Sequence, residues 1–512
     1  MWKVLARARY RFTRDQRGNV GILFAASLIP MIGLLGGAVD VTRHARHKTA
    51  MLNAMDSAAI ALARRGAEDD ADADAFVNEY INALLPPRDS MLHMGQFDAQ
   101  QIPGGWRVVS DGAMDTAFLP VVGIEEMPLD LQAEVMSTGG NFEVALALDN
   151  TGSMAERNKI EDLREAASNL VNLLYEDPGA EERVKMALIP FTHTVNIRGE
   201  AFDPAWLDPT GEGLGDHQLD HFDQAVDRLD IFNAIGGGRL GPDGLPAAWK
   251  GCVEARMEGH DVDDAAPTTN PTTRWVPYLS PDGADEGDGP SYARSNSYLD
   301  DGLRDGTGTA MERLRNVDKY FPPDIERRFS DTVGPNESCR GPIVELTNNQ
   351  DRMHEAIEAM EPGGYTHIPE GLAWGWRVLS PTEPFSQGAD YNDGITQKAL
   401  VLLSDGVNVV PDTYTAYGYL ADERLGSTTR RAERQLDANI TTICEKVKAL
   451  NIRLYMILFQ ENDRETQRIF ENCASINEET GEPYYYYAPN GDALKLAFAD
   501  IGQDLTSIRI SR

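Results

Sequence analysis

The chain has 512 residues, 42% of them hydrophobic, which suffices for sizeable apolar cores in about two to four domains. Its 81 Asp and Glu residues outnumber 47 Lys and Arg residues, which gives a formal net charge of -34. Because nucleic-acid binding requires clustered Lys and Arg against the phosphates, this charge argues against a nucleic-acid partner.

The amino-terminal segment has the pattern of a membrane anchor. Residues 1–17 form a basic tail with six Lys and Arg and one Asp, and residues 18–39 carry no charge. About 20 apolar residues suffice to cross a bilayer as a helix. A cleaved signal peptide is the alternative, but the run is long, contains Pro30 and lacks a clean small-residue cleavage site. The basic tail favours a cytoplasmic amino terminus, with the bulk of the chain across the membrane.

Residues 40–88 predict an amphipathic helical extension of this anchor. Apolar residues recur at helical spacing as far as residue 65, and a further helix over 76–85 is stopped by two prolines. Residues 90–140 contain alternating runs, which predict antiparallel strands with one wet face. These runs are 106–109, 117–122 and 129–135. We interpret this β-rich segment as a spacer.

A polar motif follows a buried strand in the middle of the chain. Residues 144–148 are continuously apolar, as in a strand buried on both faces of a parallel sheet. Asp149, Thr151 and Ser153 come directly after it, at the sheet edge where open α/β folds bind ligands. Such oxygen ligands suit a hard cation, although the same residue types are also common helix caps.

Two distant segments each contribute another oxygen. Thr366 precedes a predicted helix over 368–379, and Asp405 follows the apolar run 399–403. Together these residues resemble the metal-ion-dependent adhesion site of von Willebrand factor type A domains: Asp149, Thr151, Ser153, Thr366 and Asp405. The resemblance implies that they bind Mg²⁺, or alternatively Mn²⁺ or Ca²⁺, and that the metal binds an acidic side chain of a partner protein. Thr151 replaces the usual Ser but keeps its hydroxyl.

The alternation of strands and helices around the motif predicts an α/β head. Residues 141–512 are interpreted as a von Willebrand A domain, Rossmann-like, with a doubly wound and mostly parallel sheet. The Gly-, Asp- and Pro-rich stretch 197–340 is too long for a plain loop, so we interpret it as an insertion near the metal edge. Its acidic run 282–288 is interpreted as a turn in preference to a Ca²⁺ site. The later elements are helices 437–450, 464–474 and 492–508 and strands 452–459 and 484–487.

The four cysteines fit either two disulfides in an oxidising compartment or four buried thiols in a reducing one. No Cys-x-x-Cys occurs, which argues against a zinc site. Cys444 and Cys473 lie on successive predicted helices that can pack side by side, so we pair them, and Cys252 is then left with Cys339. Four cysteines allow three pairings in all.

The amino-terminal segment 11–63 resembles that of TadE/TadG-like proteins of Flp, or tight-adherence, pilus systems. The residues that carry the resemblance are Gly18, Asp40 and the Asn-Ala-Met-Asp-Ser-Ala-Ala motif at 53–59. Pilin-like members have Glu shortly after the processed Gly, where this chain has Leu23, so the pattern favours a TadG-like anchored protein. The resemblance implies a single-pass protein of the bacterial inner membrane with a periplasmic bulk. It also implies a partner among the other pilus-assembly components.

These patterns are compatible with three functions. The first is a metal-dependent binding module for pilus assembly or adhesion, which has no catalytic residues and is not an enzyme. The second is a minor pilin-like subunit built into the fibre. The third is a hydrolase, with Ser153 or Ser404 as nucleophile and His193 or His367 as base, but the Gly-x-Ser-x-Gly nucleophile motif is missing.

Overall fold

The computed structural model describes most of the chain, and the basic tail 1–17 lies outside the described residues. The described ranges are 19–65, 70–85, 91–102, 105–136, 141–176, 179–283, 285, 296–301, 309–393, 395–477, 480–506 and 510–511. They form two units, one comprising Met1–Gly140 with Ile508–Arg512 and the other Asn141–Ser507.

The first unit packs two helices against an antiparallel sheet. Its elements are α1 (Asn19–Arg65), α2 (Asp70–Leu84), β1 (Leu92–Met94), β2 (Asp98–Ile102), β3 (Gly105–Asp115) and β4 (Glu126–Met136). Strand β3 pairs with β1 and β2 and with β4, and the short strand Ile510–Ser511 pairs antiparallel with β4. Met55, Ala58 and Leu62 of α1 are buried in the same core as Val108 and Val135. The helical extension and the β-rich segment therefore fold together.

One predicted strand of this unit is wrong. The run 117–122 contains a turn of 3₁₀ helix over Leu119–Val122 and does not pair with the sheet. Pro120 has no N–H to give to a ladder. In addition, the Asp40 carboxylate accepts hydrogen bonds from the backbone N–H groups of residues 117, 118 and 119, at 3.1, 2.8 and 2.9 Å. The alternating pattern was therefore a misleading signal.

Helix α1 includes nearly all of the predicted membrane span, residues 18–39. Gly18 and many of the side chains between residues 19 and 34 lie outside what the structure describes. Within the described part of the chain, no helix combines the length and the apolar character that a membrane span requires. The membrane anchor stays a prediction.

The second unit is built on a six-stranded sheet. Its elements are β5 (Asn141–Asp149), α3 (Lys159–Leu174), α4 (Ala180–Arg183), β6 (Val184–Phe191), β7 (Val195–Asn196), α5 (Arg228–Ile235), β8 (Cys252–Val253), α6 (Ala310–Arg315), β9 (Val344–Thr347), α7 (Gln350–Glu358), α8 (Ile368–Leu379), β10 (Thr396–Ser404), α9 (Thr429–Ala449), β11 (Arg453–Phe459), α10 (Arg464–Cys473), β12 (Tyr485–Ala488) and α11 (Gly491–Thr506). The strand order is β12-β11-β10-β5-β6-β9, and every pair is parallel except β6 with β9. The predicted α/β class is confirmed.

Strand β5 is buried on both faces, as its continuous apolar run predicts. Val144 and Leu146 belong to one core, which includes residues of α3 and α11. Ala145 and Ala147 belong to the other core, which includes residues of α8 and α9. The sheet therefore has helices on both sides, and its central strand ends at Asp149.

Helix α9 begins at Thr429, eight residues before the predicted start at residue 437. The added turns are mostly polar, so their periodicity is weak in the sequence. Ala432 and Leu436 nevertheless pack with Val410 and Tyr417 in a small apolar cluster of their own. Tertiary contact therefore extends the helix beyond what its sequence pattern indicates.

The segment 197–340, called the insertion below, contains little regular structure. Its apolar centre includes Trp249, Trp275 and Tyr278, all buried. The disulfide Cys252–Cys339 links the middle of the insertion to its end, and Cys444–Cys473 joins α9 to α10. These are the two pairings chosen from the sequence. The remaining parts of the second unit, residues 141–196 and 341–506, are called the frame.

The acidic run 282–288 is only partly described. Asp282 is fully buried, its carboxylate lies 3.0 Å from the Lys319 ammonium, and it accepts hydrogen bonds at 2.7 Å from the N–H groups of Tyr298 and Leu299. Asp282 is therefore buried and paired, unlike the carboxylates of a solvent-exposed acidic turn. Residues 284 and 286–288 lie outside the described residues.

Candidate metal centre

Asp149 is the last residue of β5, and both oxygens of its carboxylate accept hydrogen bonds. The backbone N–H of Thr151 donates to Oδ1 at 2.9 Å, and the Ser404 hydroxyl donates to Oδ2 at 2.6 Å. Ser404 ends β10, the parallel neighbour of β5, and the register Leu403 to Leu148 brings the two strand ends side by side. Asp149 is completely buried. The orientation of its carboxylate is therefore set by backbone and sheet.

Asp405, one residue beyond β10, contacts the loop that follows Asp149. The Ser153 hydroxyl donates to its Oδ1 at 2.7 Å, and the Lys159 ammonium lies 2.6 Å from its Oδ2. The hydroxyls of Thr151 and Ser153 are 3.1 Å apart. The loop after β5 and the end of β10 thus share one hydrogen-bonded cluster.

Thr366 reaches this cluster because its loop is tied to the loop after β5. The N–H of Gly152 donates to the carbonyl of Gly364 at 3.0 Å, and the N–H of Gly363 donates to the carbonyl of Asn150 at 2.9 Å. The Thr366 hydroxyl then lies 3.3 Å from that of Thr151. Gly364 has φ +80°, which a side chain disfavours. All five residues selected from the sequence are therefore brought together.

Two carboxylates meet here with one cation. Burial and the negative charge of Asp405 together raise the pKa of Asp149 to about 7, although hydrogen bonds from Ser404 and Thr151 oppose the change. Lys159 is the one ammonium in contact with the pair among the described residues, and its side chain is 8% exposed. The cluster is therefore short of positive charge when both carboxyl groups are ionised.

The residues present fit a hard divalent cation. All five side chains offer oxygen, which Mg²⁺, Mn²⁺ and Ca²⁺ prefer as ligand. In the same loop, the Asn150 side chain is completely buried, and neither its oxygen nor its nitrogen has a hydrogen-bond partner among the described residues. Such orphaned polar atoms in a loop next to paired carboxylates are consistent with a site built for a further group.

Two buried histidines, His193 and His367, lie next to the Thr366 loop, and their ring centroids are 6.1 Å apart. His193 accepts a hydrogen bond from the N–H of Tyr365 at 3.2 Å, and burial, helped by Arg340, lowers its pKa to about 3. Burial also lowers the pKa of His367 far below its ordinary value. Neither ring nitrogen of His367 has a hydrogen-bond partner within the described part of the chain. Both rings are therefore neutral near pH 7.

Sequence reasoning missed two residues of this cluster. Ser404 is not among the five ligands predicted from the sequence, although its place at the end of an apolar strand is a usable signal. Lys159 was not considered at all. The sequence does not separate it from Arg157, which is exposed, because only the burial of Lys159 against Asp405 makes the distinction.

The amino-terminal segment matches a family model. Residues 18–65 match the Tad family, whose description is Flp pilus-assembly TadE/G-like. This amino-terminal segment is TadE/G-like. The resemblance predicted from the sequence is thereby confirmed over the part of the chain that forms α1. The comparison with curated proteins gives no match.

Several solved structures of pilus proteins are similar at a low level. The vWF domain of the type V pili tip protein Mfa5 from Porphyromonas gingivalis is 11% identical over 72% of this chain and 95% of that one, with a TM-score of 0.31. The PilB minor pilin from Streptococcus sanguinis is 12% identical over 81% and 78%, with a TM-score of 0.31. The pilus adhesin SpaC from Lactobacillus rhamnosus GG is 12% identical, with a TM-score of 0.32, and this chain spans 34% of its length. TM-scores at this level assign no function.

Proposed function

We propose that this chain is a membrane-anchored, divalent-metal-dependent protein-binding module, and not an enzyme, that serves Flp pilus assembly or surface adhesion. The observation that carries the proposal is the meeting of five oxygen-bearing side chains at one edge of the sheet: Asp149, Thr151, Ser153, Thr366 and Asp405. The TadE/G-like match over residues 18–65 supports the pilus context. The uncharged run at 18–39 supports the anchor.

The charge of the cluster explains why an acidic ligand would bind. Asp149 and Asp405 together with Lys159 carry one net negative charge when ionised, and a bound divalent cation changes this to one net positive charge. The cation would supply electrostatic attraction for a carboxylate of the partner. Because the cluster is largely buried, that attraction is screened less than in bulk water. The role of the protein is binding, and no bond needs to break.

Each residue has a definable role in such a site. Asp149 and Asp405 would supply the negative charge that holds the cation, and the hydroxyls of Thr151, Ser153 and Thr366 would supply neutral oxygens. Neutral ligands leave more of the cation's charge for the partner than carboxylates would. The existing hydrogen bond from Ser404 fixes the direction of the Asp149 carboxylate.

Metal binding is tested by titration calorimetry of the purified full chain in detergent with MgCl₂ and MnCl₂. Asp149→Asn and Asp405→Asn should each weaken binding by roughly tenfold or more, because a charge-assisted ligand is replaced by a neutral one. Asp412→Asn serves as the control, since this carboxylate is exposed and follows the same strand. Failure of the unaltered chain to bind either ion, or equal binding by all variants, would overturn the proposed metal centre.

The partner is tested by crosslinking in membranes followed by pull-down of the chain, with Mg²⁺ or with EDTA. A partner of the proposed kind disappears with EDTA and with Asp149→Asn, and it persists with Asp412→Asn. Acidic residues of the recovered partner are then changed to amides one at a time, and one of these changes should abolish capture. A partner that is retained in EDTA would contradict metal dependence while leaving the pilus context intact.

A minor pilin-like subunit is the second candidate, because the TadE/G-like match coincides with one long helix, Asn19–Arg65. Such a helix could be built into a fibre after cleavage at Gly18. Intact-mass measurement of the membrane form separates the two candidates. Loss of the residues up to Gly18 favours the pilin-like subunit, and an intact amino terminus favours the anchored binding module.

A further inference from the structure

An apolar loop of the first unit is exposed. The segment 117–124, called the apolar loop below, contains no charged residue. Four large apolar side chains project from it, with exposed fractions of 41% to 54%: Phe118, Val121, Val122 and Ile124. Single exposed apolar residues are ordinary, but a contiguous group on a short loop indicates a binding surface.

The apolar loop is continuous with an exposed apolar face of α1. The side chains on this face recur at helical spacing and are at least 38% exposed: Phe24, Leu28, Met31, Leu35 and Val39. Together with Phe118 they line one apolar groove. The loop therefore extends a surface that begins on the helix.

The contact between loop and helix is close and specific. A Cβ added at Gly36 would meet the Phe118 side chain at 2.3 Å, and one at Gly37 would meet the Leu119 side chain at 2.9 Å. One turn later Asp40, completely buried, accepts three backbone hydrogen bonds from the loop. These bonds fix the loop beside the end of the uncharged run.

The position of this contact matches the boundary of a bilayer. At 1.5 Å per residue, an uncharged run over 18–39 is about 30 Å long, the thickness of the hydrocarbon core. The apolar loop meets α1 at residues 36–40, where that run ends. Arg46 and Lys48 follow within about two turns and are exposed, so both are accessible to anionic phospholipid headgroups, which attract positive charge.

We propose that the apolar loop inserts into the boundary between headgroups and acyl chains of an anionic bilayer, next to α1. This inference rests on the membrane anchor of the proposed function. The chain would then contact the membrane through two elements, and the Asp40 carboxylate would act as the positioning group that joins them. A covering protein is the competing occupant, but the uncharged run and the basic residues beyond it favour lipid.

The test uses single-cysteine labelling of the full chain in vesicles of phosphatidylethanolamine and phosphatidylglycerol. All four natural cysteines are in disulfides, so an introduced cysteine is the one site for an environment-sensitive NBD label. The variants are Val122→Cys in the loop, Leu28→Cys in the predicted span and Leu84→Cys as the control. Leu84 is an apolar residue that is 52% exposed, close to the 54% of Val122, and it lies in the first unit as well. Spin-labelled lipids quench any label that reaches the acyl chains.

The proposal predicts a blue shift and strong quenching for the Val122 label by lipids spin-labelled near the headgroup. Deep spin labels should quench the Leu28 label, and the Leu84 label should be unaffected. Quenching at Leu28 without quenching at Val122 would overturn the loop insertion and leave the anchor standing. Absence of quenching at Leu28 would overturn the anchor itself. A blue shift at Val122 that no lipid quencher reduces would mean that protein covers the loop.

Asp40→Asn separates positioning from simple stability. It should reduce quenching of the Val122 label while leaving that of the Leu28 label unchanged, because the three hydrogen bonds lose their charged acceptor. Asp98→Asn, an exposed carboxylate of the same unit, is the matched control. Equal quenching at Val122 in Asp40→Asn and in the unaltered chain would contradict the positioning role.

Discussion

The frame and the insertion of the second unit differ in the side chains that they bury. In the frame, residues 144–148 of β5 and 399–403 of β10 are continuously apolar, and alternate side chains fill two cores. One buried ion pair, Glu143 with Lys398, lies at the start of these strands. In the insertion, charged side chains are buried in pairs and networks. The Glu254 carboxylate, 1% exposed, contacts the guanidinium groups of Arg228, also in the insertion, and of Arg424 in the frame. The insertion therefore adds buried ion pairs and a disulfide to its share of the frame's apolar core, which includes Trp249 and Trp275.

The candidate metal centre lies on the frame, next to the end of the insertion. The frame provides the rigid strand ends at Asp149 and Ser404, and the insertion lies against the loop that carries Thr366. A Cβ at Gly364 would meet the Ser338 side chain at 2.9 Å, and the Arg340 guanidinium lies against Gly363. Ser338 and Arg340 at the end of the insertion therefore border the loop that carries Thr366.

The largest expected effect comes from the disulfides. Replacing Cys252 and Cys339 by Ser removes a link across a separation of 87 residues, worth about 4–5 kcal/mol of unfolding free energy in the chain-entropy treatment. Replacing Cys444 and Cys473, 29 residues apart, should cost about 3–4 kcal/mol. Urea unfolding of both double variants checks the difference, and limited proteolysis should cut only the first within the insertion. A greater loss from the frame disulfide would reverse the comparison.

Glu254→Gln should destabilise the insertion by roughly 3 kcal/mol, because two buried guanidinium groups lose their partner. Burial opposes ionisation of Glu254, but Arg228 and Arg424 outweigh it and lower its pKa to about 2. The stabilisation is therefore present above pH 4.5 and is lost as the pH falls toward 2. Urea unfolding at pH 7 measures the effect. Glu212→Gln, an exposed carboxylate of the insertion, is the control and should leave stability unchanged.

Glu337→Gln should stabilise the chain at pH 8 by about 3 kcal/mol at most and have no effect at pH 4. Burial raises the pKa of Glu337 to about 7, with partial compensation by the Ser280 hydroxyl at 3.2 Å. A raised pKa means that stability is complete below pH 4.5 and is lost as the pH rises to about 7. Thermal unfolding from pH 4 to 8 checks this. Parallel curves for the variant and the unaltered chain would contradict it.

The smallest effect is expected at Lys159. Lys159→Met should tighten Mg²⁺ binding by about tenfold, since a positive charge next to Asp405 competes with the cation. The metal-free protein should become less stable, because the buried carboxylate loses its partner. Calorimetry with Arg157→Met, the exposed neighbour, as control measures the change. Weaker binding in Lys159→Met would show that Lys159 orients Asp405 and does not compete with the metal.

The sequence predicted most of the frame because its strands are buried on both faces, and burial on both faces leaves a continuous apolar run. The order of Asp149, Thr366 and Asp405 at strand and helix ends could be extracted from the same pattern. That these residues bind a metal stays a prediction. The hydrogen bond from Ser404 depends on which strands are neighbours, and no local pattern encodes it.

The features that the sequence did not predict depend on contacts between residues far apart in the chain. Glu254 and Arg424 are separated by 170 residues, and nothing near either one indicates the other. The run 117–122 alternates like a strand, yet a carboxylate 77 to 79 residues earlier captures its N–H groups. Local periodicity is a reliable guide only where apolar burial decides the structure.

The pairing of Ile510–Ser511 with β4 has a mechanical consequence. The polypeptide leaves the first unit after β4, traverses the whole of Asn141–Ser507, and returns to pair with that same strand. After a single cleavage between β4 and β5, the backbone pairing of Ile510 and Ser511 with Val135 and Glu134 would still connect the larger unit to the first one noncovalently.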